Sequence, residues 1–409
     1  MTTFATKFGI IMMNLRTLRL LISLALCCLG LQLNAQTDSV YDGAVHYFWT
    51  GDGNHVRYGL MDTTGNVICR PSFSQIGVPY FEYGPVPAAK GRKWGFINPK
   101  GEWVVRPQFE YAGYFHNGLA KVIVKGKTGY IWKDGSMAIE PRFDGGDNFY
   151  DTITLVLENK KSQYINTHGE ILFGERFCYP WTFQDGIAEG RTCMFNDGEE
   201  ELWGAINANG EYLFTPQFKS PPEFLNKSAA LAEKDSLWGI LNIDGHWIVP
   251  PLFESAFKAY SADLAWTKRE GKWTLTTHDG KTVTAQQFDD VEIFYEGLAA
   301  VKIGDRYGFI DTTGTVVFTL EPEYYPLHFS DGLALVVQTI DSTDRWGYIN
   351  KKGEWVIPPQ FSDAGHFYGG LAYVILSTDP KDRRSGYINH RGQVVWQHKD
   401  KYPIEIWRF

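Results

Sequence analysis

The sequence is poor in cysteine: five in 409 residues, and two of these, Cys27 and Cys28, fall in an apolar run near the N-terminus. Cys69, Cys178 and Cys193 remain, an odd number with no C-x-x-C pair, so no disulfide framework is implied. A Cys178–Cys193 bridge would need an oxidising compartment, and three buried small residues are the simpler reading. Positive charge is also short. The formal net charge is −8, and the first 35 residues hold Lys7, Arg16 and Arg19 with no acid, so residues 36–409 stand at −8 − 3 = −11. Such a balance argues against nucleic acid and anionic lipid, both of which call for clustered Lys and Arg. Nucleophile-elbow, P-loop and dinucleotide signatures are missing, and the ten histidines show no H-E-x-x-H or other ligand spacing. Nothing reads as a long amphipathic helix.

One apolar segment stands out. Arg16 and Arg19 precede Leu20–Leu31, a run of twelve residues, and Gln32-Leu33-Asn34-Ala35 ends on a small residue. This predicts a signal peptide over residues 1–35, cleaved before Gln36 and leaving a mature chain of 36–409. The alternative is an uncleaved anchor that also uses Phe8 to Met13, but Arg16 and Arg19 interrupt it, and twelve residues fall short of the ~20 that a membrane span needs. Met13 would serve as a more ordinary start than Met1. A lipid-attachment site is rejected, because Leu26 rather than a small residue precedes Cys27. No integral membrane segment is expected after cleavage.

What the chain has in abundance is self-similarity. Ten copies can be anchored at Gly59, Gly95, Gly129, Gln163, Gly204, Gly239, Thr274, Gly308, Gly347 and Gly386. Six residues after each anchor stands a glycine, from Gly65 and Gly101 to Gly353 and Gly392, without exception. Three residues after it, eight copies have Asp or Asn; fourteen residues after it, eight have Phe. An aromatic followed by Gly-Leu-Ala precedes the next anchor, as in Phe294…Gly297-Leu298-Ala299.

Each copy reads as a β unit. Leu119–Val124 and Leu333–Val337 are short strands, Trp94-Gly95-Phe96-Ile97 is a second, and Trp103-Val104-Val105 a third. Between the second and third, Asn bonds its own backbone and Gly supplies the positive φ of the turn. Pro107, Pro141, Pro216, Pro251 and Pro359 are expected to end the third strand, since proline cannot donate to a ladder. That strand is apolar at successive positions, which predicts burial on both faces and therefore sheets stacked on sheets. The segment from the Phe to the next Gly-Leu-Ala reads as a loop or a short fourth strand. The fold class is all-β: a tandem antiparallel array of about ten copies, β-propeller-like, with an open β-solenoid as the alternative. Ten blades exceed the usual 4–8, so a closed form predicts two propellers of about five.

The pattern W-G-[FY]-I-[DN]-x-x-G-x-[WV]-V-[IV]-x-P-x-[FY], followed by F-x-x-G-L-A-x-V, resembles the WG-repeat family of bacterial proteins. The Trp-Gly pair itself stands at 94–95, 203–204, 238–239 and 346–347, and the resemblance covers residues 42–400. Gln163 and Thr274 depart from the anchor glycine, and Pro322 is shifted within its copy. The resemblance implies a β-repeat architecture and no catalytic residues.

Trp103, Trp247 and Trp355 alternate with Val, Met, Ile, Tyr and Thr in other copies, which marks them as core. Trp94 and Trp238 are core or rim residues able to stack on a sugar or peptide. Single Asp or Asn turn positions are explained by turn chemistry rather than calcium, so no metal or cofactor is expected. His55, His116 and His366 read as turn or surface residues as readily as functional ones. Carboxylate pairs for glycoside hydrolysis need not be close in sequence, and 47 acids make such pairs uninformative. The unequal spacing is more telling. Gaps of 41, 39 and 39 residues place additions at Thr192–Leu202, Thr339–Arg345 and Thr378–Ser385, all in the hairpin between a copy's first two strands. Equivalent loops of an array share one face. Asp197, Glu199, Glu200 and Glu201, then Asp341, Asp344 and Arg345, then Lys381, Arg383 and Arg384 are therefore the candidate binding-face residues, with tolerated surface insertions as the alternative. The expected function is an exported, non-enzymatic binding or scaffold protein of the periplasm, cell surface or medium, recognising protein, peptide or glycan. An envelope hydrolase and a structural spacer are the alternatives.

Overall fold

The structure is a computed structural model describing residues 45–51, 56–173, 177–181, 183–192, 202–261, 263–340, 343–377 and 384–397. The expected signal segment lies outside these residues, as do Cys193, His55 and His398. Ten antiparallel sheets follow one another along the chain, eight of four strands and two of three. We call them blades 1 to 10. Blade 2 is representative, with a short strand Gln75–Ile76, a Leu-Ala-type strand Val86–Lys90, the Trp-Gly strand Lys93–Ile97 and an edge strand Trp103–Phe109. The short strand pairs with the strand that follows it, so it opens a blade rather than ending one.

Apolar side chains from facing blades form the cores. Phe96, Val105 and Phe109 of blade 2 close on Ala112, Phe115, Val122 and Ile131 of blade 3. Leu335, Trp346 and Tyr348 of blade 9 close in the same way on Phe367, Val374 and Ile388 of blade 10. Blades thus stabilise one another by removing each other's faces from water. Trp103, Trp247 and Trp355 do pack as expected, each half-buried: Trp103 and Trp247 against Phe73 and Phe218 of the preceding blade, at 5.4 and 6.1 Å, and Trp355 against Tyr324 of its own blade at 5.1 Å.

The edge strand differs from its expectation in two ways. It is not covered on both faces: Val104, Ile248 and Val356 are 42%, 40% and 39% exposed. At the margin of its sheet the strand is only partly overlapped by its neighbouring blades, and these three side chains are left in solvent. Nor do the prolines end it. Pro107, Pro141, Pro216, Pro251 and Pro359 all lie inside strands that run on to the Phe. Each sits at a bulge, where Trp94 pairs with Phe109 but Phe96 pairs with Val105, so the edge strand carries extra residues. The anchor glycine lies under that bulge. A Cβ on Gly95 would stand 2.3 Å from the Val105 carbonyl oxygen. Among the described residues, Ile171–Leu172 pair opposite Gln163, and isolated bridges at Thr276–Thr282 and Trp273–Phe288 form opposite Thr274, the two copies whose anchor is not glycine.

All ten turn glycines have positive φ, between +74° and +88°. They also have a second role. A Cβ on Gly135 would be 2.7 Å from Val105, and one on Gly280 2.3 Å from Val249, in each case a residue of the preceding blade. Gly65 of blade 1 repeats the contact with blade 10, at 2.2 Å from the Val395 carbonyl oxygen. Phe48, Trp49 and Met61 of blade 1 share a core with Leu371 and Tyr387 of blade 10, and the Phe48 and Trp396 rings are 5.4 Å apart. The first blade therefore meets the last as any two neighbours meet. The ten sheets form one ten-blade β-propeller, not two rings of five and not an open solenoid.

Candidate binding faces

The chain's direction in each strand gives the ring two faces. One carries the hairpins between Leu-Ala and Trp-Gly strands; the other carries the Asx-x-x-Gly turns and the aromatic-x-x-Gly turns that lead into the Leu-Ala strands. The three long hairpins do connect those two strands, flanked by the pairs Arg191–Trp203, Ile340–Thr343 and Ser377–Arg384. Asp197, Glu199, Glu200, Glu201, Asp341, Lys381 and Arg383 lie outside the described residues. Asp344, Arg345 and Arg384 are exposed. The Thr339 hydroxyl donates to Asp344 Oδ1 at 2.7 Å, and the Arg345 guanidinium donates to the Asp344 carbonyl at 3.2 Å.

The opposite, turn face gathers residues that are far apart in sequence. Tyr295, His328 and His366, from blades 8, 9 and 10, form a stack with ring centroids 4.0 and 3.9 Å apart. His390 stacks on Phe367 at 4.5 Å, and its Nε2 lies 3.3 Å from Asp331 Oδ2. Asp331 also accepts from the Gly370 amide at 2.6 Å. The buried His46 of blade 1 reaches the Gly369 carbonyl at 2.9 Å. Tyr80, carried on the longer loop of blade 2, meets Tyr368 edge-on at 4.9 Å.

The charges of this face follow from its packing. Burial pushes His328 down to about 4. His46 is also lowered by burial, although the Gly369 carbonyl opposes the shift. His390 is raised by its bond to Asp331. Parallel imidazoles have their lone pairs in the ring planes, so His328 and His366 cannot aim them at a common ion between them. Among the described residues, no group of three His, Cys, Asp or Glu side chains could hold a metal.

Two acidic side chains stand at the short strands, Glu223 within one and Glu292 just after another. Glu223, raised by burial, accepts from the Lys258 amide at 3.0 Å, while Lys258 Nζ donates to the Phe224 carbonyl at 3.0 Å. Glu292 is solvent-exposed, yet desolvation, helped by the negative charge of Asp290, pushes it up to about 7. Water reaches this carboxyl while protein crowds around it.

Sequence reading missed the turn-face cluster, because its histidines are up to 344 positions apart, from His46 to His390. It also passed over Trp132, which stands where eight copies have Asp or Asn. That departure was the available signal. Trp94 and Trp238 prove to be packing residues, half-buried against the cores.

Ten small sheets closed into a ring make this protein a β-propeller. The chain belongs to the WG-repeat family. The model of the WG containing repeat matches residues 94–127, 203–238, 238–273, 278–307, 307–339 and 346–376. No curated protein matches the chain significantly. Among solved structures, a eukaryotic initiation factor is similar at 10% identity and a TM-score of 0.45, over 87% of this chain and 96% of its own. BamB from Moraxella catarrhalis is similar at 11% identity and 0.32, over 68% and 91%. A protein of unknown function from Bacteroides caccae is similar at 14% identity and 0.22, over 49% and 90%. All three scores lie below 0.5, and no function is carried over from them.

Proposed function

We propose that the chain is an exported, non-enzymatic binding or scaffold protein of the bacterial envelope, recognising a protein, peptide or glycan. The observation that carries this reading is the division of labour in the ring. Strands and turn glycines are committed to blade-to-blade packing, while the two faces hold exposed side chains that packing does not require: Asp344, Arg345 and Arg384 on one, Tyr83, Trp132 and Tyr150 on the other. A rigid scaffold with variable loops is a general arrangement for recognition. Export rests on the apolar run Leu20–Leu31 and its flanking charges. The test is a panel of envelope glycans and secreted proteins offered to the signal-cleaved chain, with N-terminal sequencing of protein recovered from the envelope fraction. Saturable binding without turnover, and a mature terminus at Gln36, are expected. Release of products from a bound glycan would replace this reading with hydrolysis, for which Glu292, a carboxyl that holds its proton near neutrality beside Asp290, is the one supporting observation.

A further inference from the structure

We propose that the turn face of blades 2 to 4 carries a carbohydrate-binding strip built on Tyr83, Trp132 and Tyr150. This rests on the binding reading above and names a ligand class and a place for it. The repeat itself points to Trp132. In blade 2, Asn98 Oδ1 accepts from the Lys100 and Glu102 amides at 2.9 and 3.0 Å, which holds the turn into the edge strand. Asp62, Asn166, Asn207, Asn242, Asp311, Asn350 and Asn389 make the same bonds, and Thr277 substitutes a hydroxyl. Blade 3 alone places no side-chain oxygen there. Its turn still closes, Gly135 N–H to Trp132 carbonyl at 2.9 Å, with Asp134 Oδ1 taking the Ser136 amide at 2.9 Å. The indole gained in exchange is 42% exposed. A large apolar ring that sits in water and displaces a turn-holding group has no explanation in packing.

Its neighbours extend the same surface. The indole edge is 3.9 Å from where a Cβ on Gly118 would stand. Two residues earlier in that turn, the His116 ring meets Tyr150 at 4.7 Å with the planes tilted by 54°, and Tyr150 is 40% exposed. On the other side, Lys133 Cε lies 3.0 Å from where a Cβ on Gly84 would stand, and the adjoining Tyr83 is 49% exposed. The three rings thus belong to three successive blades and share the turn face.

The chemistry of this surface favours sugar over a strand-forming peptide. A peptide that adds a strand binds by pairing with main-chain donors and acceptors. Here the Gly135, Ser136 and Thr152 amides already donate within their own turns. What faces outward is flat ring surface beside hydroxyl, amide, carboxylate and ammonium groups: Tyr83, Tyr150, Asn117, Asp134 and Lys133. Ring faces suit the C–H faces of sugars, and the polar groups suit their hydroxyls.

Trp132→Asn is the decisive variant, because it restores the repeat's own turn residue and should fold at least as stably. The full mature chain, this variant and Tyr150→Ala would be titrated with laminarin, xylan, mannan and chitohexaose, and with a ten-residue proline peptide, and thermal midpoints recorded. Binding of at least one glycan, weakened tenfold or more by each substitution while the Trp132→Asn midpoint is unchanged or higher, is expected. The proposal is overturned if none of the four glycans binds, if Trp132→Asn binds them as well as wild type, or if only the proline peptide responds to the substitution. Any of these failures accompanied by protein binding through the long hairpins would leave the broader binding reading standing while removing the strip.

Discussion

Replacing Gly65 by alanine separates the two roles of the turn glycine. Gly65 has φ +85°, and Gly392, the same turn position in blade 10, has φ +74°. An L-residue in this left-handed region costs about 1–2 kcal/mol, so both Gly65→Ala and Gly392→Ala carry that term. Their surroundings differ. The new Cβ at position 392 would lie 3.4 Å from Ile357 side-chain atoms, close to ordinary contact. At position 65 it would lie 2.2 Å from the Val395 carbonyl oxygen, a backbone atom that no rotamer change can move. Forcing blades 1 and 10 apart is an overpacking cost of about 1–3 kcal/mol more. Gly65→Ala should therefore lose roughly 2–5 kcal/mol and Gly392→Ala roughly 1–2 kcal/mol. Urea unfolding of the two variants beside wild type, read as midpoint shifts, gives the comparison. Equal shifts would refute the reasoning, because in an open array Gly65 has no blade behind it and only the φ term remains.

Glu292→Gln tests the desolvated carboxyl. Its folded value, about 7, lies above the unfolded one, so it contributes stability below pH 4.5 that is lost as pH rises through 7. The variant should match wild type at pH 4 and show a higher thermal midpoint at pH 8. His328 works in the opposite sense. Its folded value of about 4 is below the unfolded 6.5, so its contribution is present above pH 6.5 and lost as pH falls toward 4. His328→Phe, which keeps a ring in the stack, should flatten the decline of the midpoint between pH 6.5 and 4. Gly95→Ala should destabilise the protein by about 1–3 kcal/mol in chemical unfolding, because the 2.3 Å approach to the Val105 carbonyl can be relieved only by undoing the bulge.

The repeat and its strands were legible because each depends on local physics. The turn glycines recur every 34–41 residues, and a positive φ is a property of one residue. The identity of the Trp-Gly glycine was visible too, but its cause was not, since the edge strand that bulges over Gly95 is ten residues further on. The edge strand was misread for a related reason. Val104 and Val105 look alike in sequence, and only the place of their strand in the sheet decides that Val105 is buried and Val104 is exposed. Ring closure was illegible because it is fixed by the angle each blade makes with the next, and it shows itself in contacts such as Phe48 with Trp396. The turn-face cluster depends on closure in turn, since His46 meets Gly369 only when the first blade reaches the last.

The most direct measurement of that closure is a disulfide across the seam. A Cβ on Gly370 would stand 3.9 Å from the Thr63 Cβ, within the 3.5–4.5 Å that a disulfide spans. In a chain with Cys69, Cys178 and Cys193 replaced by serine, Thr63→Cys with Gly370→Cys should oxidise to a single bridge within one molecule. It would be seen as faster migration on a non-reducing gel and as a 63–370 linked peptide after digestion. Thiols that stay free, or bridges that form only between molecules, would contradict a closed ring of ten blades.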